Sequence, residues 1–157
     1  MFCLLVAKCL NMLYNTFVMK QQFVSKSVEQ TEKIAQDFGA TLNGGEVVLL
    51  FGEMGAGKTH FVKGLAKGLD VDDIITSPTF ALHNQYFGRL VLNHFDFYRV
   101  DDPTEAEMLG LDEFFYDENG VSAIEWSENV EYLLPRGCLK VTIDKLSENE
   151  RQITIER

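Results

Sequence analysis

A glycine-rich segment at residues 52–59, with the sequence GEMGAGKT, constrains the fold more than any other feature of the chain. It matches the pattern G-x-x-x-x-G-K-[ST], in which a loop joins a buried strand to a helix. Residues 46–51 (EVVLLF) form a short apolar run that predicts the strand. Residues 61–69 place their apolar side chains on one helical face, which predicts the helix. The segment therefore has the setting that a phosphate-binding loop requires.

The residue types of this loop suit a nucleotide polyphosphate. Glycines let successive backbone N–H groups point at one anion, and the helix N-terminus adds positive charge. Lys58 is expected to reach the β- and γ-phosphates, and the Thr59 hydroxyl to ligate Mg²⁺. The alternative, a chance match in a glycine-rich turn, is disfavoured by the flanking elements. The expected nucleotide-binding residues of the loop are Gly52, Glu53, Met54, Gly55, Ala56, Gly57, Lys58 and Thr59.

Composition limits what surrounds the loop. The 157 residues are 46% hydrophobic and 24% charged, which is ordinary for one globular domain. The net charge of -10 argues against a broad nucleic-acid surface, so any work on RNA requires a partner that holds the RNA. Cys3, Cys9 and Cys138 are odd in number and lack C-x-x-C spacing. A reducing cytoplasm is therefore the expected location.

The first 18 residues are expected to lie outside the domain. Their apolar start is interrupted by Lys8, and neither a signal-peptide pattern nor an apolar run of transmembrane length is present, so no membrane association is expected. We expect Met19 to be the natural start, residues 1–18 to be an extension without function, and residues 19–157 to form a single domain. An amphipathic helix that binds a partner is the alternative for this extension.

The remaining patterns predict alternating strands and helices. Ser27 and Gln30 form a capping-box pattern for a helix that ends at Gly39, and Asp102-Pro103 predicts the start of another helix. Further strands are predicted at residues 22–25, 79–86, 90–95, 121–125, 138–143 and 152–155, the second and third of these as a hairpin around residues 87–89. We therefore expect an α/β, three-layer fold like that of P-loop NTPases, with a mostly parallel central sheet and an antiparallel hairpin addition.

Two acids follow apolar strands. Ligands of open α/β sheets gather at the carboxyl ends of the strands, so Asp96 and Glu125 are both candidates to face the phosphates, and one of them is expected to hold the magnesium. The alternative for each is a solvated loop carboxylate. Residues 76–79 (TSPT), with Thr79, are candidates to sense the γ-phosphate or to hold an attacking water, or else to form a structural turn.

Other polar residues are expected to be structural. Arg99 can neutralise charge in a transition state or pair with Asp101 or Asp102, and the structural role is favoured. His60 and His83 are expected to pack or to lie at the surface. His94 stands at a polar position in a strand, where a structural role is favoured and a role in the site is the alternative.

Four blocks in this order and spacing resemble the TsaE (YjeE) family: GEMGAGKT at 52–59, TSPT at 76–79, HFDFYR at 94–99 and IEW at 124–126. The resemblance covers roughly residues 22–156. It implies a small ATPase that works with the proteins TsaB and TsaD to make threonylcarbamoyladenosine beside the anticodon of tRNA, and that meets the tRNA only through this complex. It also implies ATP and Mg²⁺ as cofactors.

The resemblance further assigns roles to single residues. It implies that Lys58 holds phosphates, that Thr59 and Glu125 ligate Mg²⁺, and that Asp96 is an essential acid near the metal. Trp126 is implied to lie beside the nucleotide. Where many relatives have a second threonine after the lysine-threonine pair, this chain has His60.

Three other functions share the loop. A small-molecule kinase needs an acceptor pocket and usually an arginine-bearing lid, whereas the sequence between Asp96 and Glu125 indicates only an acidic helix. A GTPase normally carries an N-K-x-D motif, which the sequence lacks. A nucleotide-sensing module differs from an ATPase only in its rate of turnover. The patterns favour the ATPase, with the kinase and the sensing module as alternatives.

Overall fold

The computed structural model of the protein describes residues 19–157. The extension expected at residues 1–18 lies outside the described residues. Two 3-10 helices, Leu111–Tyr116 and Ser127–Leu133, stand before and after the strand Gly120–Glu125. In chain order the helices and strands are β1 (Lys20–Ser25), α1 (Val28–Gly39), β2 (Val47–Phe51), α2 (Lys58–Gly68), β3 (His83–Phe87), β4 (Val91–Asp96), α3 (Thr104–Met108), β5 (Gly120–Glu125), β6 (Leu139–Lys145) and β7 (Arg151–Glu156).

The strands of the described chain form one sheet in the order β1-β7-β6-β2-β5-β4-β3. The four central strands, β6, β2, β5 and β4, pair in parallel. Strands β7 and β1 at one edge and β3 at the other pair antiparallel. The predicted α/β fold is thus confirmed, including the β3–β4 hairpin. In the parallel β4–β5 register Asp96 lies opposite Glu125, which brings the two acids to the same end of the sheet.

Side chains of β2 enter both apolar layers. Val48 and Leu50 belong to the cluster packed against α1 and α2, whereas Val47 and Leu49 belong to the cluster on the opposite face. A strand with both faces covered reads as a continuous apolar run, as this one does. The opposite layer is built around Phe95 and is covered by α3 and the two 3-10 helices.

Small residues let α1 and α2 approach closely. A Cβ atom added at Gly64 would lie 2.1 Å from the carbonyl oxygen of Glu32, and one added at Gly39 would lie 2.7 Å from that of Leu65. The predicted end of α1 at Gly39 is confirmed. Gly39 does not adopt a left-handed conformation; it is the close contact with α2 that excludes a side chain.

Arg89, in the β3–β4 turn, ties down the ends of both helices. Its guanidinium donates hydrogen bonds to the carbonyl oxygens of Gly39 (2.8 Å), Leu42 (3.0 Å) and Gly68 (3.2 Å). These carbonyls lie at or just beyond helix C-termini, where no partner within the helix remains. Arg89 therefore stabilises the α1–α2 layer far from the glycine loop.

Part of one predicted strand is wrong. Residues 79–82 form a turn, and β3 begins only at His83. Leu82 has a left-handed backbone, with φ of 64°, and its N–H donates to the Pro78 carbonyl at 2.6 Å. This turn redirects the chain from residues 76–79 into the edge strand.

The predicted start of a helix near Asp102 is confirmed, since the Asp102 carboxylate accepts the Thr104 N–H at 3.0 Å. Among residues 19–157 none of the helices has the length and the apolar character needed to cross a lipid bilayer.

Candidate functional site

The glycine loop joins the end of β2 to the first residue of α2. Gly55 and Gly57 have positive φ angles of 76° and 112°, which residues with a Cβ rarely adopt. Gly57 is the N-cap of α2, and Lys58 and Thr59 form its first turn. The backbone N–H groups of this turn have no partner within the helix, so they are available to an anion.

Lys58 is folded against its own loop. Its ammonium donates to the carbonyl oxygens of Gly52 (2.5 Å) and Glu53 (3.1 Å) and lies 4.2 Å from the centre of the Trp126 ring. Burial lowers the pKa of Lys58 below its ordinary value, and the nearby Glu125 carboxylate partly offsets this effect. The cation is thus held at the loop by carbonyl groups and an aromatic ring, and it forms no direct ion pair within residues 19–157.

Glu125, at the end of β5, is held by two side chains. The Thr59 hydroxyl donates to its Oε1 at 3.0 Å, and the imidazole Nε2 of His94 lies 2.9 Å from the same oxygen. His94 is fully buried, and Glu125 is nearly so. An ionised carboxylate only accepts hydrogen bonds, so opposite an ionised Glu125 the Nε2 of His94 is the donor. This chain of contacts aims the carboxylate at the start of α2.

Asp96, at the end of β4, holds residues 77–79, where the chain enters the turn that precedes β3. Its Oδ2 accepts hydrogen bonds from the hydroxyls of Ser77 (2.7 Å) and Thr79 (2.6 Å). Its Oδ1 accepts the backbone N–H of Tyr98 at 3.0 Å. Both oxygens of Asp96 therefore position neighbouring segments of the chain.

The Trp126 indole lies beside the start of α2, as does the carboxylate of the preceding residue, Glu125. Along an extended strand the side chains of Glu125 and Trp126 would point to opposite faces. Trp126 instead has a left-handed backbone with φ of 59°, uncommon for a residue with a bulky side chain. Its ring lies beside Lys58 and 5.0 Å from that of Tyr98. Strain of this kind is concentrated at functional sites.

These groups line one cleft of about 390 Å³. Three predicted loop residues, Gly52, Glu53 and Ala56, do not line it; their carbonyl groups bond to Lys58 and Arg151 instead. His60, expected as a packing or surface residue, lines the cleft. The residues that line it are Met54, Gly55, Gly57, Lys58, Thr59, His60, Thr79, Asp96, Tyr98, Glu125 and Trp126.

The donor set suits a metal that takes few protein ligands. Within residues 19–157 no three His, Cys, Asp or Glu side chains cluster closely enough to bind a metal alone. The Thr59 hydroxyl and the Glu125 carboxylate are hard oxygen donors in contact with each other. Mg²⁺ is usually bound in this way, through one or two side chains together with waters and substrate phosphates.

The sequence model described as "Threonylcarbamoyl adenosine biosynthesis protein TsaE" matches residues 25–153, which include every block of the cleft. This chain belongs to the TsaE family. It is similar to the tRNA threonylcarbamoyladenosine biosynthesis protein TsaE of Bacillus subtilis, with 43% identity over 80% of this chain and 78% of the relative. The protein of that name from Treponema pallidum is 42% identical over 84% of this chain and 97% of the relative.

A solved structure supports the same relationship. The crystal structure of Bacillus subtilis YdiB superposes on 90% of this chain and 88% of its own, with a TM-score of 0.76 and 36% identity. The family resemblance inferred from the four sequence blocks is therefore confirmed.

In this TsaE family member the four blocks meet at the cleft. The loop contributes Lys58 and Thr59, TSPT contributes Thr79, HFDFYR contributes Asp96, and IEW contributes Glu125 and Trp126. The structure thus brings together all of the predicted site side chains that lie outside the loop. Their roles toward nucleotide and metal stay predictions.

Other polar residues have structural contacts. The Arg99 guanidinium lies 4.7 Å from the ring centre of Phe80, an alternative to the expected pairing with Asp101 or Asp102. His83 stacks on Phe95 with ring centres 4.4 Å apart, in keeping with its predicted packing role. The spacing of the blocks does not mark His94 as a partner of Glu125, nor Arg151 as a partner of the loop. His94 does carry one usable signal, because it precedes Asp96 by two residues and so shares its face of β4.

Proposed function

We propose that this chain is the ATP-binding and ATP-hydrolysing subunit that the threonylcarbamoyladenosine modification of tRNA next to the anticodon requires. Membership of the TsaE family supports the pathway, and the relatives from Bacillus subtilis and Treponema pallidum carry that pathway in their names. We further propose that the chain acts on the complex of TsaB and TsaD, and that it contacts the tRNA only through that complex. The net charge of -10 fits a protein whose partners hold the RNA.

The observation that carries the ATPase proposal is the contact between Thr59 and Glu125 beside the glycine loop. The N–H groups around Gly55 and Gly57, together with the Lys58 ammonium, would hold the phosphates. Thr59 and Glu125 would hold Mg²⁺, which neutralises charge on the β- and γ-phosphate oxygens. Glu125 is favoured over Asp96 as the metal residue, because it contacts Thr59, the other expected metal ligand, whereas Asp96 accepts hydrogen bonds from Ser77, Thr79 and the Tyr98 backbone.

Asp96 is proposed to act through the hydroxyl groups that it orients. It accepts hydrogen bonds from Ser77 and Thr79, and Thr79 lines the cleft. A hydroxyl fixed in this way can hold the attacking water or contact the γ-phosphate. Phosphoryl transfer depends mainly on such positioning and on electrostatic stabilisation.

Turnover by the chain alone is proposed to be slow. Of the described residues that line the cleft, Lys58 is the one lysine or arginine. The charge that develops during phosphoryl transfer is often stabilised by an additional arginine, which a partner can supply. Large apolar side chains stand exposed at or beside the cleft: Phe80 is 88% exposed and Met54 is 63% exposed. Exposed apolar groups around a site are typical of a protein-binding surface.

The test measures phosphate release from MgATP by the purified chain, alone and with TsaB and TsaD. We expect slow release alone, faster release with the two partners, and none from Lys58→Ala. Product analysis by mass spectrometry distinguishes the alternatives, because a kinase yields a phosphorylated acceptor and a sensing module yields no phosphate. Rapid hydrolysis that TsaB and TsaD leave unchanged would contradict the proposed role.

A further inference from the structure

Arg151, the first residue of β7, links the glycine loop to the β6–β7 turn. Its Nε donates a hydrogen bond to the carbonyl oxygen of Ala56 at 2.8 Å. Its Nη1 lies 3.0 Å, 3.2 Å and 2.9 Å from the carbonyl oxygens of Ser147, Glu148 and Glu150. One guanidinium therefore joins the loop to a turn that follows it by about ninety residues in the sequence.

We propose that Arg151 is a positioning residue that holds the loop in its phosphate-binding geometry; this inference rests on the nucleotide binding proposed above. The peptide bond between Ala56 and Gly57 is trans, so its C=O and N–H point in opposite directions. Because Arg151 binds the C=O, the N–H of Gly57 points away from the guanidinium. Gly57 lines the cleft, so this N–H is a phosphate donor whose direction Arg151 sets.

The loop has little else to fix this peptide. A Cβ atom built at Gly55 or at Gly57 would meet no atom within 4 Å, so the backbone on either side of Ala56 stands in open space. The side chain of Ala56 is buried in the core, and its N–H donates to the carbonyl oxygen of Glu53 at 3.1 Å. Among the described residues, Arg151 is the one hydrogen-bond partner of the Ala56 carbonyl oxygen, so it fixes the direction of this carbonyl group. Its positive charge also stands behind the loop, where an anion benefits from it.

The chain offers a matched control in Arg89. This residue also donates to three main-chain carbonyl oxygens, but those belong to the ends of α1 and α2 and to the loop after α1. Arg89→Met and Arg151→Met each remove a guanidinium that serves carbonyl oxygens. Only Arg151→Met releases the Ala56 carbonyl.

The experiment measures the dissociation constant of MgADP by titration calorimetry, at a temperature where each variant is folded. We expect Arg151→Met to weaken MgADP binding about tenfold, the effect of losing one charge-assisted hydrogen bond, while Arg89→Met lowers the melting temperature and leaves the affinity near that of the wild type. The inference would be overturned if the two variants bound MgADP with equal affinity. It would also be overturned if the loss of MgADP affinity in each variant followed the fall in its melting temperature.

A second measurement needs no nucleotide. The backbone amide signal of Gly57 in ¹⁵N-correlated NMR spectra should shift in Arg151→Met and stay in place in Arg89→Met. If the wild type bound no MgADP, the proposed function would be wrong, and this signal would still decide whether Arg151 sets the loop. Should Arg151→Met not fold, Arg151→Lys takes its place, since one ammonium cannot reach Ala56 and the turn together. A wild-type affinity and a wild-type Gly57 signal in Arg151→Lys would refute the positioning role.

Discussion

Replacing His94 by leucine should destabilise the fold and disturb the metal residue at the same time. His94 is 0% exposed, and its Nε2 donates to Glu125 at 2.9 Å. Thr59 is then the remaining side-chain donor to this buried carboxylate. Leaving a buried charged acceptor short of a donor costs roughly 1.5–3 kcal/mol. Leucine fills most of the volume of the ring, so a large cavity penalty does not add to this cost.

A second effect of the substitution opposes part of this destabilisation. The Nδ1 atom of His94 is buried without a hydrogen-bond partner among the described residues, and leucine removes that unsatisfied atom. We therefore expect a net loss of about 2 kcal/mol in the free energy of unfolding. For a chain of this length that corresponds to a fall of roughly 4–8 °C in melting temperature. Without the hydrogen bond from His94 the Glu125 carboxylate is less firmly oriented, so it should also bind Mg²⁺ more weakly.

The assay combines urea unfolding with the Mg²⁺ dependence of phosphate release from ATP. His94→Gln is the matched control, because its terminal amide nitrogen can donate near the position of Nε2. We expect the leucine variant to need several times more Mg²⁺ for half-maximal release, and the glutamine variant to recover most of both properties. Equal damage in the two variants would mean that packing of the ring, rather than donation to Glu125, is what matters.

Three further predictions concern the cleft and the extension. Lys58→Ala should abolish MgATP binding in titration calorimetry. It should change the melting temperature little, because the cost of burying the ammonium offsets its two hydrogen bonds to carbonyl oxygens. Normal ATP hydrolysis by this variant would refute the site. Binding of MgADP should change the fluorescence of Trp126 saturably, since its ring lies 4.2 Å from the Lys58 ammonium; tight binding by calorimetry with flat emission would place the nucleotide elsewhere. Deleting residues 1–18 should leave MgADP affinity and melting temperature nearly unchanged, because the sheet and cleft described here are built from later residues; a large fall in melting temperature would show that the extension packs on the domain.

The parts of the fold that sequence patterns predicted are those set by local physics. The run at residues 47–51 is apolar throughout because β2 is covered on both faces. The pair Ser27 and Gln30 begins α1 as expected, with the Gln30 N–H donating to the Ser27 hydroxyl at 3.3 Å. The positive φ angles of Gly52 and Gly57, 151° and 112°, account for the two glycines of the loop motif. Each signal lies within a few residues of its effect.

The mispredicted segment has a cause farther along the chain. Residues 79–82 have the composition of a strand, but the Thr79 hydroxyl bonds to Asp96, seventeen residues later. That contact, with a second one from Ser77, holds the segment at the end of the sheet and forces the turn that precedes β3. A local propensity cannot foresee a competitor that only the assembled sheet provides.

The two positioning residues differ in whether sequence reasoning was able to find them. His94 shares a face of β4 with Asp96, and in the parallel register it lies opposite Ala123, whose small side chain leaves room for the imidazole to reach Glu125 two residues farther along β5. A period-of-two argument applied to both strands therefore leads to His94. Within the described part of the chain Arg151 bonds only to main-chain carbonyl oxygens, which every residue possesses, so no pairing of side-chain types marks it. Its link to the loop arises because β6 lies beside β2 and β7 beside β6, which brings the turn between β6 and β7 to the end of the sheet where the glycine loop begins. Residues that orient a loop through its backbone are thus found from strand order, whereas residues that orient a side chain leave a pattern in the sequence.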